Sequence, residues 1–108
     1  MIKILKQLNI PYAYSHFAEG ESPNPPFICY LYPRSDNFSA DGYVYFNKSR
    51  VNIELYTDKK DIKLERRLEN LLTKNKIYFE KSEVYIQSEK LYEVVYELSI
   101  NMEEEYEQ

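Results

Sequence analysis

Three features of the chain predict a single α+β domain, an antiparallel or mixed sheet of four to five strands with two helices packed on one face. Val51, Ile53, Leu55 and Thr57 alternate with Asn52, Glu54 and Tyr56, the period of two of a strand with one face on a core. Directly after it, Leu64, Leu68, Leu71 and Leu72 recur at helical spacing, with Lys63, Glu65, Arg66, Arg67 and Glu69 on the remaining surface. Near the end of the chain, Tyr92, Val94, Tyr96, Leu98 and Ile100 again alternate with Glu93, Val95, Glu97 and Ser99. At 108 residues the chain suits one domain, here residues 1–101, followed by an acidic tail over 102–108 that has little to bury.

Each element follows from local chemistry. Ile2, Leu5 and Leu8, with Ile4 beside them, place an apolar stripe on a short first helix, and Pro11 forces Ile10 out of helical geometry. Tyr12 to Phe17 alternates as a short first strand or extended segment. Residues 18–26 hold three of the five prolines and a glycine, which reads as a loop because proline cannot donate to a sheet ladder. Phe27 to Tyr32 reads as a strand ending at Pro33, and Arg34 to Gly42 as a long exposed loop rich in turn-forming residues. Tyr43–Phe46 and Val51–Thr57, separated by Asn47 to Arg50, read as an antiparallel hairpin. Asp58 or Asp61 caps the second helix, and Lys74 and Lys76 suit its C-terminal pole. A last hairpin turns at Ser88 to Lys90.

Composition narrows the function classes. A net charge of −4 disfavours binding to a phosphate backbone, which requires clustered Lys and Arg. The lone Cys29 cannot form an internal disulfide and reads as a small buried hydrophobe sharing a strand face with Phe27 and Leu31. No apolar run approaches the ~20 residues of a membrane span, and the N-terminus lacks a signal-peptide pattern, so a soluble, intracellular product is expected. One histidine and one cysteine exclude histidine-cluster and paired-thiol zinc patterns, and two glycines build no phosphate-cradling loop, so no metal or cofactor is expected. His16 beside Ser15 suggests a nucleophile and base, but adjacent strand residues point to opposite faces. Asp36 and Asp41, with Asn37 and Ser39, lack the calcium-loop spacing and read as turn chemistry. An enzyme is not expected.

Surface contacts remain. Twelve tyrosines suit half-buried sheet faces first and interfaces second. Tyr12, Tyr14, Phe17 and Phe38 are the aromatic candidates for partner contact, and Asp36, Asn37 and Asp41 share the loop with Phe38. The same rings could instead fold back to cover the sheet.

The ordered pattern IPYAYSHF, PPFICYLYP, SDNFSADG, VYF, IELYTDKKD and YFEKSEVYIQSEKLYEVVYEL, spread over Ile10 to Ile100, resembles a family of small neck and tail proteins of Gram-positive tailed phages and prophages. Members of that family look like tail terminator, or tail completion, proteins. The resemblance implies a noncatalytic virion component, a homo-oligomeric, hexameric ring that caps the tail tube and joins it to the head. Its implied partners are the tail tube protein and a head-closure or connector protein, with DNA passing through but not specifically bound, and no membrane. The implied location is the virion neck, after synthesis in the host cytoplasm. The rival reading is a small monomeric phage protein that binds and modulates a host protein.

Overall fold

The computed structural model describes residues 1–34, 38–40, 43–46 and 48–101. It contains helix α1 (Ile2–Lys6), strands β1 (Tyr12–Tyr14), β2 (Phe27–Leu31), β3 (Phe38–Ala40), β4 (Tyr43–Phe46) and β5 (Lys48–Thr57), helix α2 (Ile62–Lys74), and strands β6 (Phe79–Ile86) and β7 (Leu91–Asn101). Five strands form one mixed sheet in the order β1-β2-β5-β7-β6, parallel between β1 and β2 and antiparallel elsewhere. The fold class is therefore the α+β domain that the alternating and helical periods predict.

One face of the sheet holds the core. Ile28 and Tyr30 of β2, Val51, Ile53 and Leu55 of β5, and Val94, Tyr96, Leu98 and Ile100 of β7 pack with Met1, Ile4, Leu5 and Leu8 of the α1 segment and Leu64, Leu68 and Leu72 of α2 in one cluster. Both helices thus cover the same face, and the leucine stripe of α2 is its anchor. Asp61 is the cap, its Oδ1 accepting from the Leu64 N–H at 3.1 Å, which satisfies one of the free amides of the first turn. At the far side of α2, an Arg67 guanidinium N–H donates to the Leu8 carbonyl at 3.1 Å and ties the two helical segments together.

Three local expectations are corrected. Tyr43–Phe46 does not pair with Val51–Thr57; β4 pairs antiparallel with β3 in a separate two-stranded sheet. Residues 48–50, read as turn chemistry, are the first residues of β5, because Lys48, Ser49 and Arg50 find ladder partners in Asn101, Ile100 and Ser99 of β7. The stretch read as a long loop over Arg34 to Gly42 likewise contains β3. The β6–β7 hairpin forms where expected, its turn closed by Glu89 N–H to Ile86 O at 3.2 Å and Lys90 N–H to Gln87 O at 3.3 Å. Lys90 takes a φ of 54°, the left-handed conformation that lets the chain reverse.

Candidate functional site

The faces of the sheet differ. The core face is covered by α1 and α2. Neither helix lies on the opposite face, where strand alternation places Phe27, Cys29 and Leu31 beside Tyr56, Glu54 and Asn52 of β5, and these in turn beside Glu93, Val95 and Glu97 of β7. Phe17 stands edge-on to Phe27 with centroids 5.5 Å apart, and Phe27 stacks on Tyr56 at 5.0 Å. Beyond this ring stack the Tyr56 hydroxyl meets two carboxylates, Glu93 Oε2 at 2.6 Å and Glu54 Oε1 at 3.3 Å. A hydroxyl has one proton, so the shorter contact takes it and Glu93 is the better satisfied acid. Burial, with the neighbouring Glu93 charge added, holds the Glu54 carboxyl above the ordinary glutamate range. Burial and the charges of the same two acids push the Cys29 thiol up to about 11. Cys29 is thus a buried thiol, as its strand position predicts, in surroundings that disfavour its thiolate.

The aromatic candidates divide between the two faces. Tyr12 and Tyr14 stand opposite Ile28 and Tyr30 on the helix-covered side, whereas Phe17 has crossed to the open side. Tyr12 is half-buried against the core. Tyr14 is 52% exposed, edge-on to Tyr30 at 5.4 Å and stacked on Tyr32 at 5.8 Å, and its hydroxyl oxygen accepts from the Tyr32 N–H at 3.3 Å. Tyr12 and Phe17 thus cover the sheet, and Tyr14 is the one of the three left half open to a neighbour. Phe38 opens β3, while Asp36, Asn37 and Asp41, together with the acidic tail over 102–108, lie outside the described residues.

The geometric reason given against Ser15 and His16 also changes. The strand ends at Tyr14 and Ser15 takes a φ of 65°, so the two side chains do not diverge, and His16 Nδ1 lies 3.3 Å from Ser15 Oγ. Both residues are exposed. Ser15 and His16 touch at the surface. Among the described residues no three His, Cys, Asp or Glu side chains come together as a metal donor set, and no helix is long and apolar enough to cross a membrane.

A third region, at the β6 edge, was not expected. Glu65, assigned to the solvated surface of α2, is 2% exposed. Its carboxylate is held between two lysines, Lys60 Nζ 2.7 Å from Oε2 and Lys81 Nζ 2.8 Å from Oε1. Lys81 also meets Glu69 Oε2 at 2.8 Å, the Tyr96 hydroxyl donates to that same oxygen at 2.7 Å, and Lys60 pairs with Glu83. Burial alone would raise the Glu65 carboxyl, but hydrogen bonds from Lys60 and Lys81 outweigh it and hold the group below the ordinary range. The register explains the arrangement. Lys81 stands opposite Tyr96 and Glu83 opposite Val94, so both β6 charges lie on the helix-covered face, where Lys81 meets Glu65 and Glu69 of α2 and Glu83 meets Lys60 just before it. Glu65 stands three residues before Leu68 and seven before Leu72, so the helical spacing already sets it at the edge of the buried stripe, with Glu69 farther out; the position of β6 supplies Lys81 as its partner.

The same edge exposes apolar surface. Tyr78 is 79% exposed, Val84 50% and Tyr85 45%, and every residue from Glu80 to Tyr85 is exposed. A shallow cleft of about 270 Å³ beside it on the open face is lined by Arg50, Tyr78, Glu80 and Glu97, with Arg50 and Glu97 3.7 Å apart as a loose ion pair. No protein-family model matches the chain, and no curated protein is similar enough to it to count as a match.

Proposed function

We propose that the chain is a noncatalytic assembly protein of a tailed-phage virion, of the tail terminator kind, which caps the tail tube and joins it to the head. The reading rests on the resemblance carried by the ordered pattern from Ile10 to Ile100. The observation of the fold that favours it is the sheet with one face packed and the other lined by Phe27, Tyr56, Glu54 and Glu93 without a covering helix. These four residues are half-buried, and a ring subunit needs surface that no helix of its own covers, one patch for each neighbour, and has no need of an enclosed pocket. Hexameric closure, contact with the tail tube and with a head-closure protein, and residence in the neck belong to the same proposal. A net charge of −4 suits a channel wall that lets DNA slide past without holding it.

The test is negative-stain electron microscopy of lysates from a phage carrying an early stop codon in this gene. DNA-filled heads beside detached tails of uncontrolled length are the expected result. Intact, infectious particles of normal tail length would remove the proposal and favour a monomeric protein that acts on a host partner.

A further inference from the structure

The sheet has two edges of unequal reach. On one side β1 offers three residues before Ser15 leaves strand geometry. On the other, β6 runs extended from Phe79 to Ile86 and, among the described residues, pairs through its β7 side alone. An edge of that length presents a row of backbone donors and acceptors to any matching strand, and charges on it normally deter such pairing. Here the charges have a pattern that one particular strand would satisfy.

Suppose β6 meets β6 of a second copy, antiparallel about a two-fold axis. Both the face and the hydrogen-bonding direction of a strand alternate with period two. Two identical strands can therefore pair only with some residue standing opposite itself. Centring on Lys81 sets lysine against lysine, and centring on Glu83 sets glutamate against glutamate, each unfavourable. Centring on Val84 slides Lys81 opposite Gln87, already in the turn, and shortens the ladder. Centring on Ser82 does neither. It places Lys81 opposite Glu83 and Glu83 opposite Lys81, Phe79 opposite Tyr85 at both ends, and Tyr78 opposite Ile86, with two small serines at the axis.

We infer that β6 is a docking edge for a second copy of this chain, paired antiparallel about Ser82 to continue the five-stranded sheet across two subunits. On the helix-covered face the contact extends the ion network around Glu65, because Lys60, Glu83, the second copy's lysine opposite it, and that copy's Glu65 alternate in sign from one to the next. It also covers the side chains of Tyr78 and Tyr85, which are 79% and 45% exposed. The contact is isologous, so it joins two subunits and stops; head-to-tail contacts of a ring would use other surfaces. The inference goes beyond the proposed function and does not depend on it.

The purified full chain provides the test. Ser82 is exposed, so Ser82→Cys leaves the packing untouched, and Cys29 is buried and does not compete. Directly opposed antiparallel residues have Cα atoms about 4.5–5.5 Å apart, within the ~4.4–6.8 Å that a disulfide spans. Mild oxidation of S82C is expected to give a covalent pair, twice 13.0 kDa, whereas E80C, whose thiols would lie four residues out of register, is expected to give none. Light scattering should show Ser82→Lys, which sets two ammonium groups across the axis, losing the twofold contact of the wild type while keeping its cooperative melt. If S82C fails to crosslink, if E80C crosslinks as readily, or if Ser82→Lys leaves the assembly mass unchanged, the inference is overturned. A wild type that runs as a larger ring supports it only when S82C still crosslinks in pairs.

Discussion

Two glutamates in this protein are held in opposite senses, and pH separates them. Glu65 is depressed by Lys60 and Lys81, so its contribution is present above the unfolded carboxylate value and is lost as pH falls through the folded one. Glu65→Gln should cost about 1–3 kcal/mol at neutral pH, since it removes charge-assisted hydrogen bonds to lysines that solvent partly screens, and the loss should shrink on acidification. Glu54 is raised by burial and by Glu93, so the folded state holds its proton more tightly than the unfolded chain does. Stability from that site falls as pH rises from the unfolded toward the folded value. Glu54→Gln removes the repulsion while Tyr56 keeps its 2.6 Å bond to Glu93. We expect it to stabilise the protein by about 0.5–2 kcal/mol at pH 7 and by little below pH 4. Urea melts of the two variants across pH check both signs; parallel curves would sink the assignment.

At the scale of an element, α2 shows how little local sequence is needed to fix a helix and how much packing is needed to place it. Its boundaries follow from Asp61 at one end and Asn75 at the other, where the Asn75 side-chain amide donates to the Leu71 carbonyl at 2.7 Å. Asp61→Ala should cost about 1 kcal/mol, as loss of an N-cap does, and Asp58→Ala should cost nothing comparable because the Asp61 side chain is the one that accepts from Leu64. Thermal melts of the two variants separate them. Strand β5 shows the limit of local reading. Its alternation identifies a strand without naming its partners, and the ladder with β7 from Lys48 to Thr57 extends it through residues that otherwise suit a turn.

Across the whole molecule, stability should be graded from the middle of the sheet outward. Strands β5 and β7 are flanked by strands on both sides and carry most of the sheet's share of the core, while β1 and β6 are edges among the described residues. Amide hydrogen exchange is expected to be slowest in Ile53, Leu55, Val94 and Tyr96 and faster in β1, where Tyr12–Tyr14 is held by β2 alone. Exchange that is as slow in β1 as in β7 would show the sheet opening only as a unit. Protection of β6 beyond that of β1 at high protein concentration, lost in Ser82→Lys, would report the second copy on that edge.

The sequence by itself determined both helices and most strands, though not β3 or the first residues of β5, and the inward face of the central elements. Val51, Ile53, Leu55, Val94, Tyr96 and Leu98 are buried as their alternation predicts, and Leu64, Leu68 and Leu72 as their helical spacing predicts, because periodicity is a local consequence of strand and helix geometry. It also marked Cys29 as buried. Partners were not local. Which strand β4 joins and which lysines Glu65 meets depend on residues far away in the chain. Tertiary structure alone decided these, since a charge can be buried where lysines from the β6 edge and the α2 entrance converge on it, and sequence spacing does not register that convergence.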